Sequence, residues 1–144
     1  MKFELLIDKL KQLNLPPDQY AVISSGVLAV RGIRAANDLD LVVTDSLWKQ
    51  LTQKYQTEKT KHRPVIRPDP DIEILGPAYD PDHDLFESDR LVRQAELIDN
   101  IPYIPLETTK LIKQKMGRVK DLRDIKLISQ YQKNRSWKQW MEQM

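Results

Sequence analysis

The feature that most constrains this chain is the alternation of acidic and apolar residues in DLDLVV, residues 38–43. Successive side chains of a β-strand point to opposite faces of the sheet, so the apolar residues can enter a core while Asp38 and Asp40 share the other face. Residues two apart on a strand lie about 6.6 Å apart, and two like charges at that spacing repel by roughly 2.5 kcal/mol at an effective dielectric near 20. The folded chain therefore needs something that offsets this repulsion.

Two explanations offset the repulsion between Asp38 and Asp40. Solvent does so if the strand face is exposed, whereas a divalent cation such as Mg²⁺ does so by taking carboxylate oxygens as ligands. The alternation recurs in DIEIL, residues 71–75, where Asp71 and Glu73 share a face opposite two isoleucines. A second acid-bearing strand favours the cation, with Glu73 as the expected third carboxylate and Asp71 as its competitor.

The patterns along the rest of the chain predict alternating helices and strands. In order, the predicted elements are a helix in FELLIDKLKQLNL, a strand in YAVIS, a short helix in VLAVRGI, the strand LDLVV, a helix in SLWKQLTQKY, the strand DIEIL, a hairpin of AELI and PYIPL around Asp99-Asn100, and helices in LETTKLIKQKM and VKDLRDIKLISQYQ. The segment with Pro64, Pro68 and Pro70 and the segment GPAYDPDHD (76–84) are expected to be loops.

This order predicts an α/β (α+β) fold, in which a small mixed β-sheet is flanked by helices. At 144 residues, the chain is expected to form a single domain over 1–144, with a core at about 20–104 and C-terminal helices at about 105–143.

The pattern of the C-terminal part also predicts how its side chains pack. The last helix is expected to bury its periodic apolar residues, Val119, Leu122, Ile125 and Ile128. Lys120 and Asp124, four residues apart, are expected to form an exposed ion pair. The three tryptophans are expected to be packing residues rather than platforms for base stacking, namely Trp48, Trp137 and Trp140.

Composition limits the class of protein. The chain is 40% hydrophobic and 31% charged, as is typical of a soluble globular protein, and no apolar run approaches the length of a membrane span. The absence of cysteine excludes disulfides and thiolate metal sites and agrees with a cytoplasmic location. We therefore expect a cytoplasmic protein with no membrane partner.

The net charge of +2 hides a segregation along the sequence. Residues 69–99 carry ten acids against two arginines, whereas residues 110–138 carry ten basic residues against Asp121 and Asp124 alone. A basic C-terminal region suits a polyanionic partner such as a triphosphate or RNA, although a charged helix can also be a simple solvated face.

Three motifs together resemble the nucleotidyltransferase (polymerase β-like) superfamily. They are the small-residue turn ISSG between a strand and a helix, the strand DLDL, whose Asp38 stands thirteen positions after Ser25, and the later strand DIEIL. The segment LIKQKMGRVKDLRDIKLI is similar to the C-terminal helices of small stand-alone members. The chain departs from the family pattern in having Ser24 where glycine is usual and Glu73 where aspartate is commoner.

The resemblance implies a nucleotidyltransferase fold and a catalytic role for three carboxylates. Asp38, Asp40 and Glu73 would bind Mg²⁺ or Mn²⁺, with Glu73 completing the metal site or acting as a general base. The expected reaction transfers a nucleoside monophosphate from an NTP to a hydroxyl of RNA, a protein or a small molecule, with release of pyrophosphate.

The resemblance also implies residues that bind the nucleotide. The turn at the start of the second helix would bind phosphates through its hydroxyl and amide groups. The expected nucleotide-binding residues are Ser24, Ser25, Gly26, Arg34, Lys115 and Arg118, with Arg31 as a weaker candidate.

Two other classes of function stay open at this point. The first is a catalytically silent nucleotidyltransferase-like module that binds a partner protein, such as a component of a toxin–antitoxin pair; a neighbouring open reading frame for a helical partner would favour it. The second is an RNA-binding adaptor that uses the basic segment 110–138, whose affinity would fall steeply with salt and would not depend on Asp40.

Overall fold

The computed structural model describes residues 2–80 and 87–144. Within these residues the helices are α1 (Lys2–Gln12), α2 (Ser25–Ala29), α3 (Asp45–Lys54), α4 (Ser88–Gln94), α5 (Leu106–Met116) and α6 (Val119–Glu142). The strands are β1 (Tyr20–Ile23), β2 (Leu39–Val43), β3 (Glu58–Lys59), β4 (Pro64–Asp69), β5 (Ile72–Leu75), β6 (Glu96–Ile98) and β7 (Ile101–Tyr103). The predicted mixed α/β class is confirmed.

The strands form one mixed sheet in the order β3-β4-β5-β2-β1-β7-β6. At its centre, β2 pairs antiparallel with β1 and parallel with β5. β1 continues the sheet through a parallel pairing with β7, and both edges of the sheet are antiparallel hairpins. The two acid-bearing strands are therefore neighbours in the middle of the sheet.

The alternation in β2 and β5 is realised as predicted. Leu39, Leu41, Ile72 and Ile74 are at most 1% exposed and join the main core, whereas Asp40 and Glu73 are only half-buried. α1 contributes Leu6 and Leu10 to this core, and α2 and α3 add further buried side chains. The carboxylates consequently lie on the face of the sheet opposite these core residues.

Two elements differ from the sequence prediction. The proline-containing segment expected to be a loop forms β3 and β4, and α4 was not predicted. Pro68 lies in β4 where the pairing register with β5 shifts between Ile66 and Asp69, so its missing N–H falls at an irregular position of the ladder. The proline-containing segment is therefore an irregular strand and not a loop.

Other turns agree with the prediction. The hairpin of β6 and β7 is confirmed, and Asp99 and Asn100 at its tip both have positive φ angles, of 50° and 68°, as a two-residue type I′ turn requires. Residues 76–80 form the expected loop, while residues 81–84 of that predicted loop lie outside the described residues.

The predicted packing of α6 was partly wrong. Ile128 is fully buried, but Val119 and Leu122 are 70% and 53% exposed. The positions that face the protein are instead occupied by Asp121 and Asp124, which are 0% and 5% exposed. The prediction failed because it assigned the inward face to apolar residues alone.

The tryptophans also divide into two groups. Trp48 is 8% exposed and packs in the core as predicted, whereas Trp137 and Trp140 are 62% and 51% exposed, so the packing prediction was wrong for these two. Among the described residues, no helix is both long and apolar enough to cross a membrane.

A buried charge network holds α5 and α6 against the loop between α2 and β2. Arg34 donates hydrogen bonds from Nε and Nη2 to the two carboxylate oxygens of Asp124, at 2.7 and 2.9 Å. The ammonium of Lys113 lies 2.9 Å from Asp124 and 3.8 Å from Asp121, and Arg118 donates from Nε to Asp121 at 2.6 Å. Asp124 thus binds two cations from two other elements and does not form the expected exposed pair with Lys120.

The ionisation of this network follows from its contacts. Burial by itself raises the pKa of Asp124, but hydrogen bonds from Arg34 and Lys113 and their positive charges outweigh burial, so the pKa lies below its ordinary value. The pKa of Asp121 is lowered in the same way, chiefly by Arg118 against burial. Both aspartates are therefore charged at neutral pH, and each neutralises a cation that would otherwise be unpaired.

We predict that Asp124→Ala lowers the free energy of unfolding by about 3–5 kcal/mol, because it leaves the buried ammonium of Lys113 without its nearest counter-charge. A matched control is Lys49→Ala, which removes an exposed pair with Asp45 and is expected to cost less than about 0.5 kcal/mol. Urea unfolding followed by circular dichroism measures both values. Equal, small losses in the two variants would contradict the structural role of the network.

Candidate functional site

Asp40 and Glu73 lie side by side on the central strands. They are direct partners in the parallel pairing of β2 with β5, and Asp40 is also the partner of Ile23 at the end of β1. Neighbouring strands are about 4.8 Å apart, so two carboxylates in this register lie on one face at short range. Asp38, the residue before β2, is exposed and contributes its negative charge to the surroundings of Asp40.

These two carboxylates line a cleft of about 580 Å³ between the sheet and the C-terminal helices. Lys113, Arg118 and Lys120 line its opposite side, and Ser24 also reaches it. The cleft therefore has a wall formed by strands, which carries the two acids and has Arg63 just before β4, and a basic wall formed by α5 and the start of α6. A ligand that carries both bound cations and phosphates matches this distribution of charge.

The ionisation of Asp40 reports the proximity of the carboxylates. Burial, together with the charges of Asp38 and Glu73, raises the pKa of Asp40 to about 6, although Lys120 and Lys113 oppose the shift. Perturbation by desolvation and like charges in a cleft is typical of functional sites. The repulsion expected from the sequence is therefore present in the fold and includes Glu73.

The turn after β1 has an unusual backbone. Ser24 has φ 59° and ψ −128°, a conformation that glycine adopts readily and other residues adopt with strain. Ser24 lines the cleft, whereas Ser25 begins α2 and its Oγ donates a hydrogen bond of 3.4 Å to the carbonyl of Asp38. The departure from glycine at position 24 thus falls at the one residue of this turn that needs a positive φ.

Gly26 has a packing role in the structure. A Cβ atom at this position would lie 2.4 Å from Cγ1 of Val22 and 3.1 Å from Cδ2 of Leu39. The missing side chain lets α2 pack closely on β1 and β2, and Gly26 itself is buried and is not among the residues that line the cleft.

Of the basic residues that were predicted to bind the nucleotide, only one lines the cleft. Arg118 lines the cleft, but its guanidinium is bound to Asp121. Arg34 is bound to Asp124 and feels the charge of Asp38, while Lys115 is exposed and does not line the described cleft. Arg31 donates to Glu96 at 2.6 Å, away from the carboxylates.

Four basic residues of the site were missed from the sequence. Arg63, Lys113 and Lys120 line the cleft, and Arg67 on β4 donates a hydrogen bond of 2.7 Å to Glu73 and also binds Glu58. Arg67 could not be found because its segment was assigned to a loop. For Lys113 a weak signal existed, since it lies eight and eleven positions before Asp121 and Asp124, the two acids of the basic segment 110–138.

The competition between Asp71 and Glu73 has a clear structural outcome. Asp71 lies before β5 and accepts a hydrogen bond of 2.7 Å from Lys9 on α1, which holds the pKa of Asp71 below its ordinary value. Glu73 lines the cleft beside Asp40. Of the two acids, Glu73 is therefore the one in position to act with Asp40.

The donor set fits a hard cation in one specific way. Among residues 2–80 and 87–144, no group of three or more histidine, aspartate or glutamate side chains forms a preformed metal cage. Mg²⁺ commonly uses one or two carboxylates and completes its shell with water and substrate phosphates, so it needs no such cage. Asp40, assisted by Asp38 or Glu73, supplies that number of carboxylates at the edge of a cleft with room for phosphates.

Comparison with known proteins adds no assignment to this geometry. No model of a known protein family matches the chain, and no curated protein matches it. The argument for function therefore depends on the residues and on the cleft.

The raised pKa of Asp40 leads to a prediction about stability and pH. Below about pH 4 the carboxyl is protonated in both the folded and the unfolded chain; between about pH 4 and 6 only the unfolded chain ionises, so the folded state loses stability as pH rises. We expect Asp40→Asn, which removes this effect, to be more stable than the native chain at pH 7 by about 1–3 kcal/mol and nearly equal to it at pH 4. Thermal unfolding in metal-free buffer at both pH values measures this difference. A loss of stability in the variant that is equal at both pH values would contradict the assignment.

The strained turn leads to a second prediction. Ser24→Gly is expected to raise the free energy of unfolding by about 1 kcal/mol, because glycine adopts the observed φ and ψ without steric cost. The matched control is Ser25→Gly, one residue on and inside α2, which should lower stability by about 0.5 kcal/mol. Chemical unfolding of the two variants measures both free energies of unfolding. If both variants are destabilised alike, the backbone at position 24 is not strained.

Proposed function

We propose that this chain is a magnesium-dependent nucleotidyltransferase, which transfers a nucleoside monophosphate from an NTP to a hydroxyl of RNA, a protein or a small molecule. The observation that carries the proposal is the cleft in which Asp40 and Glu73 face Lys113, Arg118 and Lys120. A cation site beside fixed positive charge is what a triphosphate needs. The absence of cysteine supports a cytoplasmic location for this activity.

The reaction requires one bond to form and one to break. The acceptor oxygen bonds to the α-phosphorus of the NTP, and the bond from that phosphorus to the bridging oxygen breaks, so pyrophosphate leaves with the electron pair. The proton of the acceptor hydroxyl goes to a carboxylate, for which Glu73 is the candidate because it lines the cleft beside Asp40.

The residues of the chain have separate tasks in this reaction. Asp40 and Asp38 would hold Mg²⁺, which when bound neutralises charge that develops on the phosphates. Lys120 attracts the triphosphate from the opposite wall, and Lys113 and Arg118, which are bound to Asp124 and Asp121, line the same wall. Ser24 presents the turn between β1 and α2 to the same space.

A second candidate, the silent nucleotidyltransferase-like module that binds a partner protein, is favoured by a different observation. Glu73 is already bound by Arg67, Arg118 by Asp121 and Lys113 by Asp124, so three groups that catalysis would use are engaged within the chain. Exposed Trp137 and Trp140 offer a surface on which such a module could bind its partner, including the toxin or antitoxin of a pair.

Thermal unfolding with each NTP, with and without Mg²⁺, tests the enzyme proposal without knowledge of the acceptor. A ligand at a hundred times its dissociation constant is expected to add about 2.7 kcal/mol to the stability of the native chain. The shift should require Mg²⁺ and should disappear in Asp40→Asn. Asp71→Asn is the matched control, because it removes a neighbouring carboxylate that binds Lys9, and it should keep the full shift.

Two results would contradict the proposal. If no nucleotide shifts the unfolding of the native chain, the silent module becomes the better account. If purified Asp40→Asn retains full metal-dependent turnover of labelled NTP, the carboxylates assigned here are not the catalytic ones.

A further inference from the structure

The outer side of α6 is an exposed face that the nucleotide site does not use. Trp137, Trp140 and Met141 follow the i, i+3, i+4 spacing of one helix face and are between 51% and 62% exposed. The face continues toward the start of the helix through exposed Val119 and Leu122. It therefore extends along the 24 residues of α6, which is about 36 Å.

This face does not continue the packing surface of the helix. Trp137 comes nine residues after the buried Ile128, and at about 100° per residue this places it on the opposite side of α6. A regular helix that packs Ile128 against the protein therefore directs Trp137 away from it. A binding partner is what would cover the two tryptophans.

The charge of the face identifies the chemistry of its partner. Arg123, Lys126 and Lys133 are exposed and lie among the apolar positions of the face. The two aspartates of α6 point inward and are bound to Arg34, Lys113 and Arg118. The remaining acid, Glu142, lies about 140° around the helix from Trp137. The outer face is cationic and aromatic, which suits a polyanion with flat apolar groups.

A second copy of the chain fits this face poorly. Lys126 and Lys133 lie in the same stripe as Trp137 and Val119, so a helix-to-helix dimer would bring like cations into its seam. Single-stranded nucleic acid has the opposite requirement, since it offers phosphates to the cations and bases to the rings. The two rings are already stacked on each other, with centroids 5.0 Å apart and planes inclined by 24°.

The face is also continuous with the cleft. Lys120, in the first turn of α6, lines the cleft together with Asp40 and Glu73. Because Lys120 follows Val119 directly, a strand that lies along α6 from Trp140 toward Val119 ends beside a residue that lines the cleft. We propose that the outer face of α6 binds single-stranded RNA and directs its terminal hydroxyl into the cleft, so that RNA is the acceptor; this rests on the proposed nucleotidyltransferase function.

Fluorescence anisotropy of oligo(U) labelled at its 5′ end tests the proposal on the full chain. Trp137→Ala/Trp140→Ala is expected to weaken binding by about tenfold or more, because both stacking rings are lost. Lys126→Gln/Lys133→Gln should weaken binding and reduce the slope of log affinity against log salt by about 1.4, which corresponds to two phosphate contacts on a single strand. The matched control, Lys49→Gln/Lys59→Gln, removes two exposed lysines elsewhere and should leave affinity and slope near the native values.

The same experiment separates this inference from the proposed function. Asp40→Asn should bind oligo(U) at least as tightly as the native chain does, because it removes a negative charge from the cleft and leaves the outer face of α6 intact, although it loses the Mg²⁺-dependent effect of NTP. If NTP stabilises the native chain but oligo(U) does not bind at low salt, or binds equally to both α6 double variants, the inference fails while the enzyme proposal stands.

Other occupants of the face give results that overturn the inference. Tighter binding of single-stranded DNA than of RNA would remove RNA as the partner. Binding to vesicles that contain phosphatidylserine, with a blue shift of tryptophan fluorescence and no binding of oligo(U), would indicate a membrane-surface helix. Self-association that is lost in Trp137→Ala/Trp140→Ala would indicate a second copy of the chain.

Discussion

The buried charge network is the interaction on which the rest of the structure depends. In α5 and α6 the buried side chains are Thr109, Lys113, Asp121, Asp124 and Ile128, and only the last is apolar. Leu106 and Ile112 add partly buried contacts with the core. The C-terminal helices are consequently held to each other and to the loop between α2 and β2 largely by ion pairs.

The position of these helices determines how charged side chains are distributed around the cleft. The strands supply two carboxylates, and burial beside negative charges raises the pKa of one of them, Asp40, to about 6. The helices place Lys113 and Lys120 across from it, and these cations lower the same pKa. A triphosphate with its metal ion complements both walls at once, because the metal meets the acids and the phosphates meet the bases.

The central strands of the sheet could be predicted from the sequence, whereas several peripheral elements could not. β2 and β5 could be predicted because strict alternation with a period of two has one structural meaning. β4 could not, because Pro68 occupies an irregular position in a strand whose pairing depends on distant residues.

The inward face of α6 was mispredicted for a related reason. Asp121 and Asp124 are buried only because cations from two other elements bind them, and the periodicity of one helix contains no information about such partners. In the candidate site, Ser24, Asp40 and Glu73 were found from motifs, whereas the basic wall depended on tertiary contacts.

The central claim is that the carboxylates of β2 and β5 bind a divalent cation, and paramagnetic NMR with Mn²⁺ in place of Mg²⁺ tests it most directly. Mn²⁺ is a hard cation with similar ligand preferences, and it broadens the signals of nuclei close to it. We expect substoichiometric Mn²⁺ to broaden the amide signals of residues 39–41 and 72–74 first, and to leave them sharp in Asp40→Asn. Broadening that begins instead around Asp69 and Asp71, or that reaches no part of the two strands, would contradict the account.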